Sequence, residues 1–255
     1  MAQASWVEVS ELEDESPPAE PELELDVRLE RPDLVVVAKP AGMPTVPLAP
    51  GERGTLAGAL VARYPEMRAF GYRAREPGVV HRLDTLTSGL VVAARTRSAF
   101  DELVQALKLG ELQKRYLALV HGEGLPPAGS IDLPLAPDHK DGSRVRVVDL
   151  KARYAHPAIT YFRVLEQGSG LALLELDAGP AFRHQIRAHL AASGYPIVGD
   201  RQYGGEQHPG LSGRHALHAS YVAWAGDGAR NFEVATEVPA EFRALLAGGE
   251  ASSES

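Results

Sequence analysis

The 255-residue sequence contains no cysteine. Disulfides, thiol nucleophiles, Cys-x-x-Cys redox chemistry and thiolate zinc sites are excluded together. Long hydrophobic runs are missing as well: stretches such as 34–38 and 90–94 fall far short of the roughly 20 apolar residues of a membrane-spanning helix. No basic stretch followed by an apolar one stands at the N-terminus. Neither a secretory leader nor a membrane partner is therefore expected, and a cytoplasmic location is. Aromatic residues make up only 6%, but hydrophobic residues reach 44% and charged ones 24%, the balance of an ordinary globular protein. The length suits one large domain or two small ones, and no internal repeat or Gly/Ser/Pro-rich linker divides residues 27–249.

An excess of basic charge is also lacking. The formal net charge is −8, which at first sight argues against a nucleic-acid partner. The distribution changes that reading. Residues 1–26 hold nine acids and no Lys or Arg, residues 250–255 hold Glu250 and Glu254, and residues 27–249 carry all 26 bases against 23 acids. The body is thus mildly basic. With like charge and little to bury, 1–26 is expected to be a disordered acidic tail and 250–255 a disordered end. Such a tail serves either solvation or competition with nonspecific nucleic acid over a basic cleft.

Within 27–249 the pattern alternates. A β-branched run at 34–38 leads into a turn at Lys39-Pro40-Ala41-Gly42. Leu56, Leu60, Val61 and Tyr64 have helical spacing, with Thr55 as N-cap and Pro65 as stop. Residues 89–94 read as a buried strand, 98–109 as a helix capped by Ser98 and ended by Gly110, and 115–121 as another strand. Stretches at 144–148, 159–165 and 171–176 read as antiparallel strands, with Gly168 and Gly170 marking a hairpin. A helix over 182–192 ends at Gly194 and Pro196. Neighbouring strands with segregated helices predict an α+β fold around a mixed, mostly antiparallel central sheet flanked by helices.

One stretch stands out chemically: His81-Arg82-Leu83-Asp84-Thr85-Leu86-Thr87-Ser88-Gly89-Leu90. A carboxylate at a loop-to-strand junction can be held partly desolvated and kept ionised by a nearby base. The alternative is a surface turn in which Asp84 and Thr87 bond only backbone amides, and composition alone favours that turn. An aspartyl-phosphate motif of the D-x-D-x-T type would need a carboxylate where Leu86 stands. Protein-kinase and Walker A patterns are absent.

The string at 81–90 resembles the active-site motif of the RluA-type RNA pseudouridine synthases. Further blocks follow in the matching order: Lys39-Pro40-Ala41-Gly42, then 114–122 with Tyr116, then His184-Gln185-Ile186-Arg187-Ala188-His189-Leu190, then 196–204 and 216–219. The likeness spans about residues 28–245. It implies the pseudouridine synthase catalytic fold, an isomerase needing neither cofactor nor metal, and RNA (tRNA or rRNA) as substrate. A monomer is expected. The resemblance assigns Asp84 as the essential carboxylate, Tyr116 as the residue packing on the uracil ring, and Arg187 as the cation paired with Asp84. Whether Asp84 attacks C6, attacks C1′ or assists glycal formation stays open.

Arg82 resembles the residue that fills the space of the flipped base. His81 either shapes that loop or serves a structural role. Candidate phosphate contacts are Arg73, Arg75, Arg144, Arg146, Lys151, Arg153 and Arg183, with Arg144 and Arg146 expected on one side of a strand. The chain departs from the family where Ala181-Phe182-Arg183 replaces a usual G-R-T and where Thr85-Leu86 replaces a charged dipeptide. A small N-terminal RNA-binding domain is not expected. His184 and His189 are five apart, so no helical two-His metal site is expected. Two other readings remain: a catalytically idle RNA-binding protein or RNA chaperone on the same fold, and a carboxylate glycosidase.

Overall fold

The computed structural model describes residues 15–122, 124–226 and 230–248. Strand β1 (Asp26–Glu30) pairs antiparallel with β2 (Leu34–Lys39), and β2 with β3 (Ser88–Ala94). Both β2 and β3 are buried on both faces, as unbroken β-branched runs require. Alternation sends Val35, Val37 and Val91 against α1 (Leu56–Arg63) and sends Leu34, Val36, Leu90 and Val92 against α2 (Arg97–Leu109).

The second half of the sheet holds β4 (Gln113–His121), β5 (Ala128–Asp132), β8 (Ile159–Gly168), β9 (Leu171–Asp177) and β10 (Leu217–Trp224). The order is β1-β2-β3-β10-β4-β9-β8-β5, and β11 (Phe232–Ala235) adds to β10. A separate hairpin joins β6 (Leu135–Pro137) and β7 (Val145–Val147). It docks on α3 (Gln185–Ala192) through a small core of Leu135, Val145, Ala158, Ala188 and Tyr203. Helix α4 (Ala240–Leu246) packs near β9. The architecture is α+β around a mixed, mostly antiparallel sheet. Among the described residues no helix is long and apolar enough to cross a membrane.

The joint between the two halves is narrow. Strand β3 runs parallel to β10 for two residue pairs only, His218 with Ser88 and Ala219 with Gly89, before β11 takes its place beside β10. Gly89 sits at φ +116°, and a Cβ there would lie 2.2 Å from the Ala219 carbonyl oxygen. Only glycine lets the strands approach at this point.

Several local expectations change. Thr55 caps α1 as read, its Oγ1 accepting from the Gly58 amide at 3.1 Å. The cap of α2 is Thr96, not Ser98: Thr96 Oγ1 accepts from the Ala99 amide, while Ser98 Oγ donates to Glu102. Helix α3 starts at Gln185 rather than 182, because His184 has φ +55° and Gln185 Oε1 accepts from the Phe182 amide, making 182–184 a turn.

The acidic tail expected over 1–26 is packed from Glu15 onward. Glu20 is 3% exposed, and its carboxylate accepts from the amides of Gly54 and Thr55 at the start of α1. Unpaired amides and the positive helix end favour an anion there, so one acid of the segment is an internal cap. Gly58 makes room for it; a Cβ would lie 2.4 Å from Glu20 Oε2. Residues 1–14 and 250–255 lie outside the described residues.

Gly89→Ala is expected to destabilise the fold by about 1–3 kcal/mol from overpacking alone, with left-handed strain added. Urea unfolding checks this, and an unchanged midpoint would refute the steric reading of the joint.

Candidate active site

The loop 83–87 emerges at this joint and is pinned at successive positions. Thr45 Oγ1 accepts from the Leu83 amide at 3.1 Å and donates to the Leu83 carbonyl at 2.8 Å. The Thr85 carbonyl accepts from the Gly42 amide at 2.8 Å and from Lys39 Nζ at 3.2 Å. Lys39 is 1% exposed, and its ammonium also donates to the carbonyls of Pro40 and Met43. Burial, reinforced by Arg214, pulls its pKa down to about 7, while Asp84 pushes the other way. Three carbonyl acceptors match the three N–H groups of the charged form, so this lysine ties the Lys39–Met43 turn to the loop as a cation. The Thr87 amide closes the loop by donating to the Asp84 carbonyl.

These restraints leave the Asp84 side chain facing α3, with 27% of it exposed. Arg187 Nη1 donates to Asp84 Oδ2 at 2.8 Å. The rest of the guanidinium is held from behind: Nε donates to Asp200 Oδ2 at 2.7 Å, Nη2 to Asp200 Oδ1 at 2.8 Å and to Gln202 Oε1 at 2.9 Å. Asp200 is 2% exposed. Burial opposes the charge on Arg187, but Asp200 and then Asp84 outweigh it and raise its pKa above the ordinary arginine value. The Tyr203 ring lies 5.0 Å from this guanidinium. His184 brings Nε2 to 3.6 Å from the other carboxylate oxygen, Asp84 Oδ1.

Tyr116 lies on one transverse row of the sheet. Lys39 faces Gly89, Gly89 faces Ala219, and Ala219 faces Tyr116. Residues opposite one another share a face, so Lys39 and Tyr116 flank two positions, Gly89 and Ala219, that carry little or no side chain. The tyrosine is 7% exposed, and burial first, then the charges of Asp84 and Asp177, push its hydroxyl pKa up. It stays a phenol at neutral pH.

Of the residues singled out in the sequence, the structure brings Asp84 and Arg187 into contact and sets Tyr116 within reach of the Asp84 charge. Arg82 stands at the rim, its side chain 57% exposed and paired with Glu76 at 3.0 Å. His81 does not line the site. It is buried, and its Nε2 accepts from the Val92 amide on β3, so its role is structural. Arg183 is tied to the carbonyls of Gly142 and Arg144, and the Arg144 guanidinium lies 5.1 Å from the Tyr203 ring. Arg146, Arg73, Lys151 and Arg153 are exposed on loops or strand, while Arg75 pairs with Glu15.

Sequence reasoning passed over Asp200, Tyr203 and Lys39, although all three lie in blocks already noted as similar to a family. Nothing in their local pattern distinguishes a site residue from a turn residue. Among the described residues no group of three or more His, Asp or Glu side chains could hold a metal ion.

Residues 33–192 match the RNA pseudouridylate synthase family. A Chloroflexus aurantiacus protein named an uncharacterized RNA pseudouridine synthase is 43% identical over 211 residues, covering 82% of this chain and 64% of its own. The Yersinia pestis ribosomal large subunit pseudouridine synthase D is 32% identical over 225 residues, covering 84% of this chain and 66% of that protein. The chain thus spans about two-thirds of the length of these curated relatives. Among solved structures, human RNA pseudouridylate synthase domain containing 1 superposes with a TM-score of 0.68 at 27% identity, covering 88% of this chain and 87% of the other.

Behind the loop lie histidines held neutral. Burial, with Lys114, lowers the His81 pKa to about 3. Burial, with Arg187 and with Arg214 respectively, lowers those of His215 and His218 to about 4. All three sit below their unfolded value of 6.5, so the unfolded chain binds more protons between about 6.5 and 4 and stability falls as pH drops through that window. Each histidine contributes about 1.4 kcal/mol per pH unit, or about 4 kcal/mol for the three together. Urea midpoints should fall modestly from pH 8 to 7, where Lys39, its pKa lowered to about 7, is still taking up its proton in the folded chain, and fall steeply below about 6.5. A flat profile down to pH 5 would remove these histidines from the account.

Proposed function

The chain belongs to the RNA pseudouridine synthase family, and from that premise we propose that it converts a specific uridine in RNA to pseudouridine with Asp84 as the essential carboxylate. The observation that carries this reading is the Asp84–Arg187–Asp200 chain of charge-assisted hydrogen bonds at 2.7–2.8 Å, with Tyr116 on the sheet row of the small residues Gly89 and Ala219. In the reaction the N1–C1′ bond breaks, the base turns, and a C5–C1′ bond forms. The C5 hydrogen leaves as a proton and N1 takes one up. Nothing is oxidised or reduced.

Arg187 aims Asp84, and because Asp200 already balances one positive charge, the guanidinium need not neutralise Asp84 fully. Oδ1 is left without a hydrogen-bond partner at close range, which is what attack on C6 or C1′, or abstraction of a proton en route to a glycal, requires of the carboxylate. The buried Tyr116 ring supplies a packing face for uracil, and its hydroxyl, a phenol at neutral pH, supplies a donor. Extruding a uridine from structured RNA costs a few kcal/mol. Arg82, exposed two residues before Asp84, would occupy the vacated stack once its pairing with Glu76 is exchanged. The relatives named for the ribosomal large subunit make that RNA the first substrate to test, with tRNA second. A purely binding role would have no use for a buried arginine aimed at one carboxylate oxygen.

Forming the C5–C1′ bond expels the C5 hydrogen, so RNA labelled with [5-³H]uridine reports turnover as tritium release. With unmodified large-subunit rRNA transcript, wild-type protein is expected to release tritium. Asp84→Asn is expected to slow release by more than about 1,000-fold while changing RNA affinity less than about threefold, because no phosphate contact is lost. A fully active Asp84→Asn variant would overturn the proposal; release from tRNA transcripts alone would move the substrate to tRNA.

A further inference from the structure

We propose that His184 is a positioning residue for Asp84: its Nε2 edge closes on the carboxylate oxygen that Arg187 leaves free, and the docked β6–β7 hairpin, acting through Tyr203, sets which way the imidazole faces. This inference rests on Asp84 being the reacting carboxylate.

The contacts define the protonation pattern. The Val145 amide on β7 donates to the Tyr203 hydroxyl at 2.9 Å. That hydroxyl lies 3.0 Å from His184 Nδ1. With Val145 already donating to it, the Tyr203 hydroxyl uses its own hydrogen only by donating to Nδ1, and that pairing, with Nδ1 as the acceptor, belongs to the proposal. The single ring proton of neutral His184 then resides on Nε2, the atom facing Asp84 Oδ1 at 3.6 Å. That separation is a little longer than a hydrogen bond, as is common in a site without substrate, where contacts tighten on binding. The ring packs edge-on against Tyr203, with centroids 5.8 Å apart. Two oxygens of one carboxylate are thereby addressed by two residues of the same helix start: Oδ2 by Arg187 and Oδ1 by His184.

The backbone supports the same reading. His184 adopts φ +55° at the N-cap of α3, where its side chain makes no capping hydrogen bond. Glycine or asparagine would occupy that conformation at lower cost. The imidazole therefore serves neither the helix nor the turn, and its contacts all lie on the path from β7 to Asp84.

Protonation would convert the contact into a full ion pair and draw charge from the reacting carboxylate. The groups facing the ring are Asp84 from the loop, Arg183 from the turn before α3, Arg187 from α3, and Asp200 and Tyr203 from the segment after it. Burial lowers the His184 pKa, Asp84 raises it, Arg187 and Arg183 lower it, and Asp200 raises it, with the balance below the ordinary histidine value. The ring is neutral at physiological pH, and activity should fall in acid as it takes up a proton.

The test uses the full chain and two readouts. In single-turnover tritium release from [5-³H]uridine-labelled large-subunit rRNA transcript, wild-type rates should fall on the acid side of about pH 6.5. His184→Gln keeps an N–H donor in the place of Nε2 but cannot titrate. It should retain the neutral rate within about fivefold and lose the acid limb. His184→Leu should lose about 10- to 100-fold at neutral pH with RNA affinity unchanged. Tyr203→Phe, which frees the ring to turn, should give a smaller loss and the same acid limb. A His184→Leu variant as fast as wild type, or a Gln variant that keeps the acid limb, would overturn the proposal.

The second readout needs no RNA. Imidazole ¹⁵N shifts of the wild-type chain should place the proton on Nε2, with the His184 titration moving further down in Asp84→Asn, where the carboxylate charge is gone. A proton on Nδ1, or a titration indifferent to Asp84→Asn, would refute it. Wild-type protein inactive on every RNA would remove the proposed function, while the ¹⁵N titration would still decide the His184–Asp84 coupling.

Discussion

A guanidinium with 7% of its side chain exposed must find nearly all its compensation inside the protein, and Arg187 finds it in three places at once. Asp200 takes two of its N–H groups, Gln202 shares one of them, and Asp84 takes a third group. Buried ion pairs are poor sources of net stability, because desolvation consumes most of the Coulombic gain, but stripping one partner leaves a charge that costs about 3–5 kcal/mol. The pairing therefore acts as a constraint on geometry. Helix α3, the loop at 83–87 and the turn beginning at Asp200 can coexist only in the arrangement that satisfies Arg187. The Asp84 carboxylate inherits its aim from that requirement.

A carboxylate held by its side chain alone would still wander with its backbone. The loop prevents this through contacts made almost wholly to main-chain atoms: Thr45 on both polar groups of Leu83, and Gly42 and Lys39 on the Thr85 carbonyl. Such contacts depend little on which side chains occupy 85 and 86, which accounts for Thr85-Leu86 standing where related proteins carry charge. The sheet joint has the same logic: Gly89 lacks a side chain because two strands meet there with almost no clearance.

How much of this was legible in the sequence follows from what kind of signal each feature leaves. Strands β2 and β3 and helix α1 announced themselves through unbroken apolar runs and helical spacing, since both follow from burial. The cap of α2 shifted by two residues because Thr96 and Ser98 are equally good caps in composition and only backbone geometry separates them. Asp84, Arg187 and Tyr116 were reached through resemblance; by pattern alone Asp84 read better as a turn residue. Asp200 and Lys39 carried no local signal, because their partners lie 13 and 46 residues away. His81 misled for the converse reason: adjacent to Arg82 in sequence, it points across β3 into the core. Glu20 misled most, since a run of acids reads as solvated chain unless one of them caps a helix 34 residues further on.

Charge shows most clearly how position overrides composition. Two cations of the site, Arg187 and Lys39, are buried, and each is held at short range by carboxylates or carbonyls. They contribute to the field at Asp84 and almost nothing to a long-range potential. Three of the candidate phosphate contacts are themselves engaged: Arg82 with Glu76, Arg75 with Glu15, Arg183 with two carbonyls. At those three positions an incoming polyanion would exchange one partner for another, so each contact would yield only the difference between the new partner and the old, whereas Arg73, Arg146, Lys151 and Arg153 stand exposed and would not require that exchange.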